Sequence, residues 1–129
     1  MYRNHVSLIG FTGKEAEDRV TINQKHYTVL SLATQFSYKD KTTGDYIDRT
    51  EWHRIIVWGK LGEFALKIQK GAHLAVDGEL VSREYTDKKH KDVKHRIWEI
   101  RATSILKLDR AEKSEENLDA EPVEDEAPE

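Results

Sequence analysis

Apolar and polar residues alternate with a period of two along most of the first 110 residues of this 129-residue chain. Such alternation is typical of β-strands, because successive side chains of a strand point to opposite faces of a sheet. The alternating segments are rich in Val, Ile, Thr, Leu and aromatic residues, which also favour strands. They predict five strands, at residues 3–11, 19–36 (with a break near 23–25 as an alternative), 47–58, 72–85 and 93–107.

The segment KLGEFALKIQKG has the spacing of a helix instead. Its apolar residues at positions i, i+3, i+4 and i+7 are Leu61, Phe64, Ala65 and Ile68. Gly71, which follows, is a suitable C-terminal stop. A single helix between the third and fourth of five strands is typical of the OB-fold, a five-stranded Greek-key barrel. We therefore predict an all-β fold of this kind; without the helix, a small β-sandwich would fit the strands equally well.

Both faces of the third predicted strand carry apolar side chains. The two faces hold Trp52, Arg54, Ile56 and Trp58 on one side and His53, Ile55 and Val57 on the other. A lone barrel would leave one of these faces in water, so we expect a second copy of the chain to cover it. Coverage within one chain, by strand twist and by the helix, is the alternative.

Charge is distributed unevenly along the chain. Residues 1–110 hold 20 of the 21 Lys and Arg against 15 of the 24 Asp and Glu, a formal charge of +5, whereas residues 111–129 hold one Lys and nine acids, a charge of −8. The last segment also has both prolines and no aromatic residue, so it cannot offset the entropy cost of ordering. We predict a basic domain over residues 1–110, which suggests a polyanionic partner, and a disordered acidic tail over residues 111–129. On charge alone, two merely solvated surfaces are the alternative.

The stretch TEWHRIIVWGK, residues 50–60, places an arginine between two tryptophans on one strand face. Aromatic residues interleaved with cations suit single-stranded nucleic acid, because bases stack on flat rings while Lys or Arg neutralises the phosphates. Burial in the core is the common alternative for a Trp, but an unpaired guanidinium beside it would be costly to bury. We expect Trp52 and Trp58 to contact nucleic acid, with Trp58 the more buried of the two.

The third tryptophan, Trp98, has a different setting. Within HRIWEIRA it shares a strand face with Ile100 and Ala102, while Glu99 and Arg101 take the opposite face. An apolar strand face of this kind is typical of a barrel interior. We therefore expect Trp98 to lie in the core.

Motifs for catalysis or metal binding are not found in the sequence. It has no cysteine, its six histidines are scattered, and no phosphate-cradling glycine loop occurs. We predict no metal site, no cofactor and no enzymatic activity, with a nuclease as an unsupported alternative. The start of the chain lacks the apolar run of a signal peptide, and no segment has the roughly 20 apolar residues that span a bilayer. We expect a cytoplasmic protein with no membrane partner.

From residue 4 to about residue 107 the chain resembles bacterial single-stranded DNA-binding proteins. The resemblance rests on four blocks in order, NHVSLIGFTGKEAE, LATQFSYKDKTTG, TEWHRIIVWGKLGEFA and LVSREYTDKKHKD. Its most specific part is TEWHR followed by aromatic-Gly-Lys-Leu. The resemblance implies an OB-fold that binds and protects single-stranded DNA, without sequence preference, in replication, recombination and repair. It also implies a homo-oligomer, usually a tetramer.

The resemblance implies particular site residues as well. Family members stack bases on one aromatic residue in each of four places, which are here Tyr38, Trp52, Trp58 and Tyr85. Two of these are tyrosines where tryptophan is frequent, so we expect weaker stacking per base. Phosphate contacts are implied by matching motifs for Arg3, Arg54, Lys60 and Arg83, to which loop positions add Lys39, Lys41 and Lys88. His53 is expected at or near a subunit contact, with a hydrogen-bonded core histidine as the alternative.

The chain departs from the family in its last residues. Family tails commonly close with Pro-Phe, which recruits replication and repair enzymes, whereas this chain ends in DEAPE. Recruitment of such partners by the usual tip is therefore not predicted, and the acidic tail is expected instead to compete for the basic groove. The main alternative function is an oligomeric protein-interaction OB module of a replication or restart complex, with its aromatic residues buried at subunit contacts.

Overall fold

Six strands and one helix follow one another along residues 1–109, the part of the chain that the computed structural model describes. The predicted tail at 111–129 lies outside the described residues. The elements are β1 (Val6–Thr12), β2 (Glu17–Val20), β3 (His26–Lys39), β4 (Tyr46–Trp58), α1 (Gly59–Leu66), β5 (His73–Thr86) and β6 (Lys94–Lys107).

Five of the strands close into a barrel, in the order β1-β5-β6-β4-β3. β1 returns to β3 through the pair Phe11 and Ala33, which closes the ring. The closure requires a glycine at position 10, because a Cβ there would collide with the Ala33 carbonyl. The pairings are antiparallel except for β4 with β6, which run parallel at Ile55 and Ile100. The predicted five-stranded OB-fold barrel is therefore confirmed, and the sandwich alternative is excluded.

The segment predicted as one strand over residues 19–36 is divided into β2 and β3. The turn between them is closed by a hydrogen bond from the Thr21 N–H to the Lys25 carbonyl, and Gln24 adopts a left-handed conformation with φ of 66°. β2 pairs only with β3, so it forms a short sixth strand beside the barrel. The alternative with a break near residues 23–25 is thus confirmed.

Helix α1 is shorter than the sequence predicted. It lies between β4 and β5 as expected, but it ends at Leu66 rather than near Gly71. The buried side chain of Thr12 is the reason: its hydroxyl donates to the Gln69 carbonyl at 2.8 Å and accepts from the Ala72 N–H at 2.9 Å. Backbone groups that a longer helix would have bonded internally are satisfied by β1 instead.

The core fills the barrel with side chains from one face of each strand. Its largest fully buried side chains are those of Leu30, Leu32, Ile55, Leu74, Val57 and Val76. The other face of β1, β5 and β6 is also largely apolar. We call it the outer apolar face, and it consists of the exposed Ile9, Phe11 and Leu106 with the partly buried His73 and Ala75. No element among residues 1–109 covers Ile9, Phe11 and Leu106 of this face, whereas Ile56 on the corresponding side of β4 is buried within the chain. Coverage by a second copy stays a prediction.

Candidate nucleic-acid interface

Trp52, Arg54 and Trp58 share the outward face of β4, as their spacing predicted. They lie opposite Ala33, Ser31 and Tyr27 of β3 in an unbroken antiparallel register. Trp52 is 60% exposed, whereas Trp58 is only partly exposed. The face therefore offers one open aromatic ring and one that is partly covered.

Gly13, in the turn after β1, supports the Trp52 ring. A Cβ at this position would collide with the six-membered ring of Trp52, so the indole lies directly against the glycine backbone. The turn itself is held by a hydrogen bond from the Gly13 N–H to the Ser31 carbonyl at 2.9 Å. Sequence reasoning missed Gly13, because it is 39 residues from Trp52 and only the fold brings the two together.

Trp58 packs against Tyr27 on the neighbouring strand. Their ring centroids are 4.7 Å apart with an interplanar angle of 33°. Gly59 follows immediately and begins α1. Trp58 therefore packs against the outside of the barrel and is less exposed than Trp52, as expected from its position.

Arg54 and Arg83 are joined by a buried carboxylate that the sequence did not identify as part of the site. Glu99 on β6 is 3% exposed. It accepts a hydrogen bond from Arg54 Nε at 2.5 Å, and two from Arg83, from Nε at 3.2 Å and from Nη2 at 3.3 Å. The Arg54 guanidinium is thus paired with a carboxylate. The sequence argument that an unpaired guanidinium would oppose burial of the Trp52 face therefore does not apply.

The three charged groups of this cluster leave one net positive charge on the surface. Both arginine side chains remain partly open to solvent, at 31% for Arg54 and 49% for Arg83. Arg54 uses only its Nε in the pair, so the N–H groups of its two terminal nitrogens can donate hydrogen bonds to another acceptor. A second anion, such as a phosphate, can therefore bind here without displacing Glu99.

Tyr85 lies on the same outward face, two residues beyond Arg83 on β5. It is opposite His95 of β6, with ring centroids 5.3 Å apart. His95 Nε2 lies 3.2 Å from a carboxylate oxygen of Asp87. The backbone N–H of Lys89, and then the His95 side chain, hold the pKa of Asp87 below its ordinary value. These contacts order the base of the lysine-rich loop between β5 and β6.

Tyr38 lies on a different face from the other three aromatic candidates. It is opposite Ile47 in the β3–β4 register, and alternation puts it on the side of Leu32 rather than of Trp52. Its nearest aromatic neighbour is Phe36, at 6.3 Å between centroids. The structure therefore places Trp52, Trp58 and Tyr85 on the outward face and Tyr38 on the other face.

The remaining phosphate candidates are all exposed. Lys39 ends β3, Lys60 is the second residue of α1, and the other two lysines, Lys41 and Lys88, lie in the two hairpin loops. Arg3 precedes β1 and is held near β5 by its neighbour Asn4. The Asn4 amide donates to the Leu80 carbonyl and accepts from the Leu80 N–H, both at 2.9 Å.

His53 points to the inner side of β4, where it is partly buried. Its Nε2 lies 2.9 Å from the hydroxyl of Thr34 on β3, so one ring nitrogen has a partner within the chain. The predicted subunit contact stays a prediction.

Trp98 is not in the core, contrary to the prediction from sequence. It does share a face with Ile100 and Ala102, which are 5% and 8% exposed, but Trp98 itself is 60% exposed. The parallel ladder between β4 and β6 begins at Ile55 and Ile100, so the part of β6 before Ile100 extends past the barrel. The sequence pattern predicted the strand face of Trp98 correctly, but it could not show where along β6 the barrel ends.

Residues 1–109 contain no group of three or more His, Cys, Asp or Glu side chains that could hold a metal ion. In that same range, no helix is long and apolar enough to cross a membrane.

Comparisons with known proteins all match single-strand binding proteins. A family model described as the single-strand binding protein family matches residues 3–108. Among solved structures, the chain is similar to Plasmodium falciparum SSB in complex with ssDNA, with a TM-score of 0.71 and 27% identity over 84% of this chain and 97% of that one. It is also similar to a deletion mutant of the single-stranded DNA-binding protein from Thermus aquaticus, with a TM-score of 0.68 and 26% identity over 83% of this chain. It spans about half, 51%, of that second protein.

Proposed function

Because the chain belongs to the single-strand binding protein family, we propose that it binds and protects single-stranded DNA, with little sequence preference, in replication, recombination and repair. The resemblance seen in the sequence is thereby confirmed. Proteins of this family bind DNA and are not enzymes, so the prediction of a non-enzymatic protein is confirmed as well.

The observation that carries the proposed mechanism is the exposed Trp52 ring beside the cluster of Arg54, Arg83 and Glu99. A flat ring that is 60% exposed is available to an unpaired base, and stacking is worth about 1–3 kcal/mol per base. The cluster next to it carries one net positive charge and unused guanidinium donors, which suit the phosphate that accompanies each base. Because stacking does not require a particular base, binding by this surface is tolerant of sequence.

In the proposed path, the strand continues from Trp52 along the outward face. Tyr85 supplies a second ring on β5, and Trp58, partly covered by Tyr27, supplies a smaller contact. In this path Lys60, two residues after Trp58, and Lys88, three residues after Tyr85, neutralise the phosphates. Each neutralised phosphate releases condensed counterions, which favours binding at low salt.

Tyr38 enters the proposed path only if the strand passes around the β3–β4 hairpin. Its ring lies on the opposite side from Trp52, beside Phe36 and close in sequence to Lys39 and Lys41. These residues suit a separate segment of a long strand. A short oligonucleotide on the outward face does not require them.

We also propose that copies of the chain associate through the outer apolar face and the edge of β1, as a tetramer. β1 pairs with β5 over residues 6–11 but with β3 only at Phe11 and Thr12, so the second edge of residues 6–10 has no partner strand among residues 1–109. Ile9, Phe11 and Leu106 are all more than half exposed beside that edge. An open strand edge and an apolar face together favour self-association.

A fluorescence titration tests DNA binding directly. The full chain is titrated at low salt with a dT homopolymer, and separately with a duplex of matched length. We expect quenching of tryptophan emission by the single strand and much weaker binding of the duplex, in which bases are already stacked. The absence of quenching, with tryptophans protected from a soluble quencher in the oligomer, would favour the protein-interaction module instead.

A further inference from the structure

Trp98 presents an open aromatic ring on the side of the β5–β6 hairpin that faces away from Tyr85. It lies opposite Ser82, and the alternation of the two strands puts Tyr85 and Arg83 on the reverse side. Its exposed fraction, 60%, equals that of Trp52. One hairpin therefore carries an aromatic ring on each of its two faces.

The surface around Trp98 combines apolar and cationic groups. Leu80, on the same face, is also exposed and continues the apolar surface from the end of the barrel. Arg96 is the next residue of this face along β6. Its guanidinium is held in place by hydrogen bonds to the Ser82 hydroxyl at 2.8 Å and to a Glu84 carboxylate oxygen at 2.7 Å.

Further cations follow toward the hairpin loop. Lys94 begins β6 opposite Thr86, and Lys88, Lys89 and Lys91 lie in the loop that links the two faces. A polyanion that passes Tyr85 thus meets four lysines around the loop. The acids on this path are Glu84 and Asp87, which are paired with Arg96 and His95, and Asp92 in the loop, so positive charge remains in excess.

We infer that Trp98 is a fifth stacking position, which takes a base of the same single strand after the strand has crossed the β5–β6 hairpin. This inference rests on the proposed function, because it extends the path of the DNA rather than adding a second ligand. An exposed indole that shares a strand face with Arg96 and Lys94 matches the combination of ring and cation that single strands require.

A second copy of the chain is a less suitable occupant of this surface. Association through Trp98 would bury the Arg96–Glu84 ion pair and bring Lys94 out of water, which is costly unless new partners are found. The outer apolar face lies elsewhere, around Ile9 and Leu106, and association through it would not bury these charged groups. Cations around the ring therefore favour DNA over protein.

The test compares two substitutions that separate flatness from hydrophobicity. Trp98→Phe keeps an aromatic plane, whereas Trp98→Leu keeps an apolar side chain but no plane. With a long dT oligomer we expect Trp98→Leu to weaken binding at least about fivefold, the low end of one stacked base, and Trp98→Phe to stay within about threefold of the wild type. Because the ring is exposed, both variants should melt at the temperature of the wild type.

Photocrosslinking gives an independent readout on the unmodified protein. Irradiation with a 5-iododeoxyuridine-substituted oligomer, followed by peptide mass spectrometry, should find adducts on Trp98 as well as on Trp52. Shortening the oligomer should remove the Trp98 adduct first, because a short strand occupies only the outward face.

The outcomes separate this inference from the proposed function. If Trp98→Leu binds like the wild type while Trp52→Ala binds weakly, the Trp98 inference is wrong and the proposed function stands. If Trp98→Leu lowers the mass of the protein in solution, a second copy covers the ring and the inference is also wrong. If the wild-type protein itself does not bind the oligomer, the proposed function fails.

Discussion

Arg54 and Glu99 form a charged pair at 2.5 Å, in which the carboxylate is almost fully buried and the guanidinium reaches the surface beside Trp52. Arg83 shares the same carboxylate from the opposite side. One acid on β6 therefore positions two arginines, one on β4 and one on β5, and it limits the charge that they can offer to a phosphate. Stability and DNA affinity are opposed at this residue.

Glu99→Gln should destabilise the protein but tighten its binding to single-stranded DNA. The amide keeps the shape of the side chain but leaves two guanidiniums without their counter-charge. Because both guanidiniums are partly exposed, we expect a loss of about 1.5–3 kcal/mol in the free energy of unfolding, the range for hydrogen bonds to charged groups. The same change adds one positive charge to the surface, so affinity for a dT oligomer at low salt should rise. Urea unfolding and the oligomer titration measure the two effects.

The matched control for this prediction is Glu79→Gln on the same face of the sheet. Glu79 pairs with Arg101, and both side chains are exposed, so the loss in stability should stay below about 1 kcal/mol. Equal destabilisation by the two variants would contradict the special role of Glu99.

Gly13→Val should weaken DNA binding although Gly13 itself has no side chain to contact a ligand. The added side chain would collide with the Trp52 ring and displace it. A double-mutant cycle checks whether the effect acts through Trp52. Gly13→Val should add little to the loss of DNA affinity already caused by Trp52→Ala. Additive losses would show that Gly13 acts independently of Trp52.

Trp52→Ala and Trp58→Ala should differ in their effects on stability. Trp52 is open to solvent, so its removal should leave the melting temperature nearly unchanged while binding weakens by about 1–3 kcal/mol. Trp58 packs against Tyr27 but is partly exposed, so its removal should destabilise the fold by up to about 3 kcal/mol, the low end for a core Trp, in addition to any loss of binding. A Trp52→Ala variant that unfolds would contradict the assignment of Trp52 to the surface.

Ile9→Asp should reduce the mass of the protein in solution. A carboxylate in the middle of the outer apolar face would be buried without a partner on association. Ile22→Asp is the control, because Ile22 is 99% exposed in the turn between β2 and β3, away from that face. Light scattering should show a smaller species for Ile9→Asp alone; an unchanged mass would contradict the proposed interface.

The carboxyl group of Asp87 should titrate with a pKa below its ordinary value of 3.8. Hydrogen bonds from the Lys89 N–H and from His95 stabilise its ionised form in the folded protein. The stability that they supply is therefore present above pH 3.8 and is lost as the pH falls through the lower pKa of the folded state. Carboxyl-carbon NMR shifts measure this midpoint, and a value at or above 3.8 would contradict these contacts.

The sequence predicted what depends on local periodicity. The alternation of β4 placed Trp52, Arg54 and Trp58 on one face, and the helical spacing located α1 between two strands. The exact end of α1 depends on Thr12, which is distant in sequence and satisfies the backbone near Gln69, so spacing could not reveal it.

The missed features of the site have a common cause, which is contact between distant segments. Alternation assigned Glu99 to the outward face but could not show that the barrel brings Arg54 and Arg83 to the same carboxylate. Trp98 was placed on the correct face of β6, yet its exposure depends on where the β4 ladder begins. Such features follow from barrel closure, which a single-sequence pattern does not encode.

The salt dependence of oligonucleotide binding is the most direct test of the central claim that this chain binds single strands through bases and phosphates together. A dT oligomer is titrated between about 50 and 200 mM salt, the range in which phosphate contacts change affinity most clearly. We predict that the logarithm of the binding constant falls linearly with the logarithm of salt concentration, with a slope of about −2 or steeper, since each neutralised phosphate contributes about −0.7. Binding with no dependence on salt, or no binding at the lowest salt, would contradict the account.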